Sequence, residues 1–117
     1  AKQFGFRMTL PDGKRLTCCG DEPYRDCEEN YAQNSDWLLH EAFCLDAQAD
    51  IFHPYEKSHS TAKDACQTAE KLGVKNLVLY HTEDKNITRR RELYTAEGQP
   101  YFSGNLYVPD DLDVIEL

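Results

Sequence analysis

The stretch STAKDACQTAEKLGVKNLVLYH, Ser60 to His81, carries a helix, a stop and a strand in one run. Ala62, Ala65, Cys66, Ala69 and Leu72 recur at helical spacing and make one apolar stripe. Ser60-Thr61 followed by Asp64 resembles an N-cap with an acidic residue in the first turn, so the spacing predicts a helix from about Thr61 to Leu72. Gly73 stands where a left-handed residue closes a helix. Val74 to Tyr80, with Leu77-Val78-Leu79 at its centre, then predicts a buried strand that ends on His81. Upstream, Trp37-Leu38-Leu39 is the same kind of short apolar run, expected in a buried parallel strand, and His40-Glu41 sits at its carboxyl end.

Working outward, Gln3 to Leu10 puts Phe4, Phe6 and Met8 on one side of a strand, and Pro11-Asp12-Gly13 turns the chain into Arg15 to Cys19. This predicts an N-terminal hairpin. Gly20-Asp21-Glu22-Pro23 ends it, and Tyr24, Cys27 and Tyr31 predict a short helix within Tyr24 to Gln33, broken at Ser35-Asp36. Phe43 to Ser58 has no sustained period and reads as a long surface loop. Glu83 to Glu97 reads as a surface helix through Ile87, Leu93 and Tyr94, stopped by Gly98, Pro100 and Gly104. Asn105 to Val108 and Val114 to Leu117 read as short strands around Pro109-Asp110-Asp111. Strands that alternate with helices in this way predict an α/β sheet with crossover helices.

The chain has 117 residues, 40% hydrophobic and 29% charged, which suits a single globular unit. Thirteen Lys and Arg against twenty-one Asp and Glu give a net charge of -8. Nonspecific binding to phosphate backbones needs clustered cations, so no stable nucleic-acid binding is expected from this chain alone. No apolar run nears the roughly 18 residues that cross a bilayer, and the first residues lack the order of a signal peptide. No membrane partner and a cytoplasmic setting are therefore expected. Five cysteines without a CxxC pair fit neither a disulfide scaffold nor a thiolate zinc site, and read as reduced and mostly packed. With Ala1 first and Met8 the only methionine, the natural start is expected to lie elsewhere; a processed terminus or an expression boundary would read the same way.

Asp21, His40-Glu41 and His81 each follow a predicted strand, and His59 precedes a helix. In parallel α/β sheets, ligand sites collect at the carboxyl ends of strands, so these groups are expected to converge. Imidazole and carboxylate together suit zinc and similar divalent ions, which activate water for hydrolysis. On spacing alone, each has a plainer reading. Asp21 reads first as a turn or cap residue, and His81 first as a hydrogen-bonded core or surface group. His59 also reads as the residue before a cap, and Glu41 as a solvated charge. His53, beside Pro54, reads as structural or exposed. Asp110, Asp111 and Asp113 read as a solvated turn, because calcium-loop spacing is absent.

Four motifs in order shift this balance. Leu38-Leu39-His40-Glu41-Ala42-Phe43 resembles the strand and HEAT-type loop of ribonuclease Z and its relatives in the metallo-β-lactamase superfamily. His59-Ser60-Thr61 before an Ala-rich helix resembles that family's HST loop, and Val74 to His81 resembles its last strand with a terminal histidine. Cys19-Gly20-Asp21 falls where the family has a strand, a Gly and a metal-bridging Asp. The resemblance implies Asp21 as a carboxylate shared by two metal ions and His81 as a ligand to one of them. It implies His59 as general acid, with Glu41 holding its imidazole and His40 as Glu41's neighbour. The implied cofactor is zinc, two divalent ions in the intact protein, with manganese or iron as alternatives. The implied chemistry is hydrolysis of a phosphodiester or other ester substrate by metal-activated water.

Two departures limit this. The family's HxHxDH signature is absent, since no two of His40, His53, His59 and His81 are separated by one residue. Asp21 and His81 supply two ligands where a catalytic zinc usually has about three, so weak metal binding and little turnover are expected from the chain alone. The family's continuation past its last His, with a Ser and an Arg-Tyr pair, is also missing from Tyr80 to Lys85, which puts transfer-RNA 3′ processing in doubt. The resemblance therefore implies one α/β half of an αββα four-layer sandwich, residues 1 to 117 forming the C-terminal portion. The expected partner is the missing N-terminal half or a second copy of this chain in a homodimer. The alternative is a non-enzymatic, self-associating half-domain that acts by binding.

Overall fold

In the computed structural model, which describes residues 3 to 117, five strands form one sheet in the order β1-β2-β3-β4-β5. They are β1 (Phe6–Thr9), β2 (Arg15–Cys18), β3 (Trp37–Glu41), β4 (Asn76–Tyr80) and β5 (Asn105–Tyr107). β1 runs antiparallel to β2, because the tight turn through Gly13, at φ 89°, returns the chain at once. β2 to β5 are mutually parallel, with Leu38 opposite Thr17 on one side and Leu77 on the other. Each parallel step is made through helical segments: α1 (Glu29–Ala32), then α2 (Ala49–Phe52) and α3 (Ala62–Leu72), then α4 (Arg90–Gly98).

α3 starts and stops where its sequence says. The Thr61 hydroxyl accepts from the Asp64 amide at 3.1 Å, and the Asp64 carboxylate accepts from the Thr61 amide at 3.0 Å. Gly73 closes the helix at φ 68°, in a space so tight that a Cβ would lie 2.9 Å from Asn34 Oδ1. Thr61→Ala removes one half of this reciprocal cap and is expected to cost about 1 kcal/mol, read as a lower urea midpoint at unchanged slope. A change in slope would mean that more than the cap had been lost.

The alternation along β4 sends Leu77 and Leu79 into the core and leaves Asn76, Val78 and Tyr80 half-buried on the other face. Leu38, Leu77 and Leu79 pack with Ala65, Cys66, Ala69, Leu72 and Tyr94 from α3 and α4. The opposite face keeps Leu39, Val78 and Tyr107 half-exposed, and β1 is exposed along its length, with Phe6 at 51% and Met8 at 46%. No described helix is long and apolar enough to cross a membrane. All five cysteines are free; Cys19, Cys44 and Cys66 are buried, Cys18 is half-buried and Cys27 is exposed.

The structure corrects the expected element bounds. Val114 to Leu117 forms no strand: Arg91 binds Asp110 and Asp113, and this turn sends Val114 and Ile115 over α4 instead of along β5. The expected helix Glu83 to Glu97 begins only at Arg90, because Glu83 is turned inward, accepting from Asn86 at 2.7 Å and Tyr94 at 3.4 Å. Tyr24 to Gln33 yields only a 3-10 turn, Asp26–Glu28, and the single turn of α1, since the Tyr24 amide is drawn to His40 Nε2 at 3.3 Å. The expected loop Phe43 to Ser58 contains α2 and two 3-10 turns, Asp46–Gln48 and Tyr55–Lys57.

Candidate active site at the carboxyl ends of the parallel strands

β2, β3 and β4 all end on one edge of the sheet, and the chain leaves each with a special backbone. Gly20 follows β2 at φ 82° and delivers Asp21; His81 follows β4 at φ 58°, a left-handed conformation uncommon for any residue with a side chain. The Tyr80 hydroxyl donates to the Gly20 carbonyl and ties these two strand ends together. On the third side, Ser58 at φ 57° turns the chain so that His59 enters from the segment before α3. Asp21, His59 and His81, with Lys57 and Ser58, line one open cleft of about 410 Å³.

Behind the cleft lies Glu41, the last residue of β3 and wholly buried. Its Oε1 accepts from both the Ser60 amide and the Ser60 hydroxyl, each at 2.6 Å. Its Oε2 faces His59 Nδ1 at 3.4 Å. Neither of these two buried atoms has a hydrogen-bond partner among the described residues. Burial pushes the Glu41 carboxyl above its usual range, while the Ser60 donors and the nearby His81 pull the other way.

The His59 ring is held flat against Phe43, with centroids 4.8 Å apart and planes at 22°, and lies 5.1 Å from the His81 ring. Its side chain remains 19% exposed, so one edge meets the cleft while Nδ1 faces the carboxylate. Phe43 is in turn braced by the edge of Phe52 and has the Lys57 ammonium 5.4 Å from its centroid. Donor atoms of Glu41, His59 and His81 all lie within 4.8 Å of one another. Asp21 shares the cleft but lies outside that cluster.

His40 lies apart from the cleft. It is fully buried, its Nδ1 within 2.6 Å of the Glu41 carbonyl and its Nε2 accepting from the Tyr24 amide. Those partners fix a neutral ring with its proton on Nδ1, and burial holds its pKa below the ordinary imidazole value. His53 is exposed, 3.7 Å from Glu56. In the sequence Ser60 reads as a cap and as part of the His59-Ser60-Thr61 motif, Phe43 ends the Leu38 to Phe43 motif, and Lys57 falls in the expected loop; none of the three carries a role in the site there. Ser60's service to Glu41 depends on an approach of two segments 19 residues apart. No local pattern reports such an approach.

No family model matches the sequence. The chain is 31% identical to ribonuclease Z of Synechococcus sp. strain CC9311, over 94% of its own length and 40% of that protein. It is 29% identical to ribonuclease Z of Lactiplantibacillus plantarum, over 97% and 40% respectively. Among solved structures it is similar to human tRNase Z, short form, at 25% identity and TM-score 0.71, over 96% of this chain and 37% of that one. It is also similar to YhfI of Bacillus subtilis, a metallo-β-lactamase fold protein, at 20% identity and TM-score 0.71, over 90% and 40%. The chain thus spans 32% to 40% of the length of the curated relatives it matches.

Proposed function

From the premise that this chain is a ribonuclease Z homologue carrying part of the metallo-β-lactamase fold, we propose that it is the C-terminal portion of a metal-dependent hydrolase that cleaves a phosphodiester or related ester. The observation that supports this most is the cleft itself. Three distant segments contribute Asp21, His59 and His81 to it, and a buried carboxylate stands directly behind His59.

The donor set suits a divalent ion. Asp21 and His81 would hold it, and oxygen with imidazole nitrogen fits zinc, with manganese or iron as alternatives. When bound, the metal would supply a water acidic enough to act as nucleophile at neutral pH. Two ligands are fewer than a catalytic site needs, so the remainder of the site is assigned to the rest of the fold. The half-exposed sheet face, with Phe6 and Met8 at its rim, supports a partner of that kind, either the larger portion of the same fold or a second copy of this chain.

The other roles belong to residues of this chain. Glu41 orients His59 through Nδ1, Phe43 holds the ring plane, and the ring edge that meets the cleft gives its proton to the leaving oxygen. Lys57 lines the same cleft and would meet the negative charge of a phosphodiester. Asp21→Ala, tested in a protein that supplies the rest of the site, is expected to lower bound metal and abolish hydrolysis of bis(p-nitrophenyl) phosphate together. Full metal occupancy in that variant would remove Asp21 from the ligand set. A chain that self-associates, takes up no metal with its partner portion and hydrolyses nothing would instead support the binding-module reading.

A further inference from the structure

One hydroxyl joins the two proposed metal ligands: we infer that Tyr80 is a positioning residue for Asp21, fixing its carboxylate relative to His81. The inference rests on the reading of Asp21 and His81 as a metal pair. The need for such a residue comes from the backbone. The ladder between β2 and β3 runs out at the Cys19 amide, which donates to the Leu39 carbonyl at 3.1 Å. Gly20 then turns at φ 82°, and a glycine leaves the next peptide free to swing. Packing gives Asp21 little support, since it lines the cleft on one side and an open cavity of about 470 Å³ on the other. A carboxylate placed in this way keeps its bearing only if its own peptide is held.

Tyr80 holds that peptide. Its hydroxyl donates to the Gly20 carbonyl, the oxygen of the planar unit that ends on the Asp21 Cα, so one bond fixes the plane from which the side chain leaves. β2 and β4 flank β3, which puts their ends roughly 9.6 Å apart, two strand spacings and beyond any backbone contact. The phenol closes that gap beside Leu39 and Cys18, which line the same cavity. The hydroxyl has one proton, committed to Gly20, so in its 3.5 Å contact with Cys18 Sγ the thiol is the donor. The phenol oxygen is thereby held from two directions.

Tyr80 is also the residue before His81, so the side chain that holds Asp21 stands on the backbone that carries the second ligand. Groups that orient a metal ligand from behind typically change affinity by about 10- to 100-fold when they are lost. Tyr80 acts in this way through a peptide plane, without touching the carboxylate itself.

The test has an arm without metal and an arm with it. In the 117-residue chain, amide relaxation should give Asp21 an order parameter of about 0.85, the value of rigid backbone, and Tyr80→Phe should lower it below about 0.6. Leu38 and Leu77, in the core of the same sheet, report whether the fold is otherwise intact. In a protein that supplies the rest of the site, zinc affinity is measured by competition with a chromophoric chelator for Tyr80→Phe, Asp21→Asn and the double variant. Expected is a loss of about tenfold or more for Tyr80→Phe. No further loss is expected when it is added to Asp21→Asn, because a phenol that acts through Asp21 then has nothing left to position. An equally rigid Asp21 amide or unchanged affinity in Tyr80→Phe, or losses that add in the double variant, would overturn the inference and leave Asp21 and His81 standing as ligands. Zinc affinity untouched by Asp21→Asn would instead overturn the ligand reading on which the inference rests.

Discussion

His59→Ala, in a protein that supplies the rest of the metal site, is expected to lower kcat by about 10²- to 10⁴-fold on a substrate with an alcohol leaving group, with metal content nearly unchanged. The argument starts from geometry. Glu41 is wholly buried and fixed by Ser60, so its second oxygen can serve only what stands before it, and that is His59 Nδ1 at 3.4 Å. A carboxylate there favours the tautomer with its proton on Nδ1 and stabilises the cationic ring, which then has a proton to give from the other nitrogen. Such bonds are often long before substrate closes the site. A general acid matters only when the leaving oxygen is a poor one. The same variant should therefore lose much less on p-nitrophenyl esters, whose phenolate departs without a proton. Equal losses on both leaving groups would exclude proton delivery, and parallel loss of metal would make His59 a ligand of the catalytic ion.

How far the sequence could be read depended on the range of the interaction. α3 was legible to its caps because its stripe, its Thr61–Asp64 exchange and Gly73 are all local. β3 and β4 were legible as apolar runs, and their polar ends located Glu41 and His81. The end of the chain was misread because Val114 to Leu117 has strand composition, while its path is decided by Arg91 holding Asp110 and Asp113, some twenty residues away. The start of α4 was misread for a similar reason: Glu83 looks like a surface charge but is buried against Tyr94 and bound to Asn86. In the site, residue types and order predicted the convergence. The stacking of Phe43 on His59 and the double donation from Ser60 followed only from the fold. His40 and Glu41 show the limit most clearly. They are adjacent in sequence at one strand end, yet one ring is locked neutral by backbone partners and the other side chain is aimed at the cleft.

Glu41→Gln is expected to stabilise the isolated chain by about 1–3 kcal/mol at neutral pH, the range set by a buried polar group left without a partner. Glutamine keeps the shape. Its oxygen retains both Ser60 donors, and its amide nitrogen takes the place of Oε2, where it can donate to His59 Nδ1. The gain should depend on pH with a definite sign. Burial raises the Glu41 carboxyl above its ordinary value of 4.5, so the folded state binds that proton more tightly than the unfolded chain does. Wild-type stability contributed by this group is thus fully present below 4.5 and is lost as pH rises through the folded value. Asp12 and Asp36, whose carboxyls are lowered by backbone donors, shift the opposite way, but they are common to both proteins and cancel in the difference. Urea denaturation of the two proteins at about pH 4 and pH 7.5 should show the variant's advantage widening as pH rises. An advantage independent of pH would mean that the Glu41 carboxyl binds its proton equally well in the folded and unfolded chain. A variant less stable than wild type at neutral pH would mean that Oε2 finds a charged partner in solution, with protonated His59 the nearest. A gain in stability from a substitution that also disables His59 is the expected mark of a carboxylate kept for chemistry at a cost to the fold.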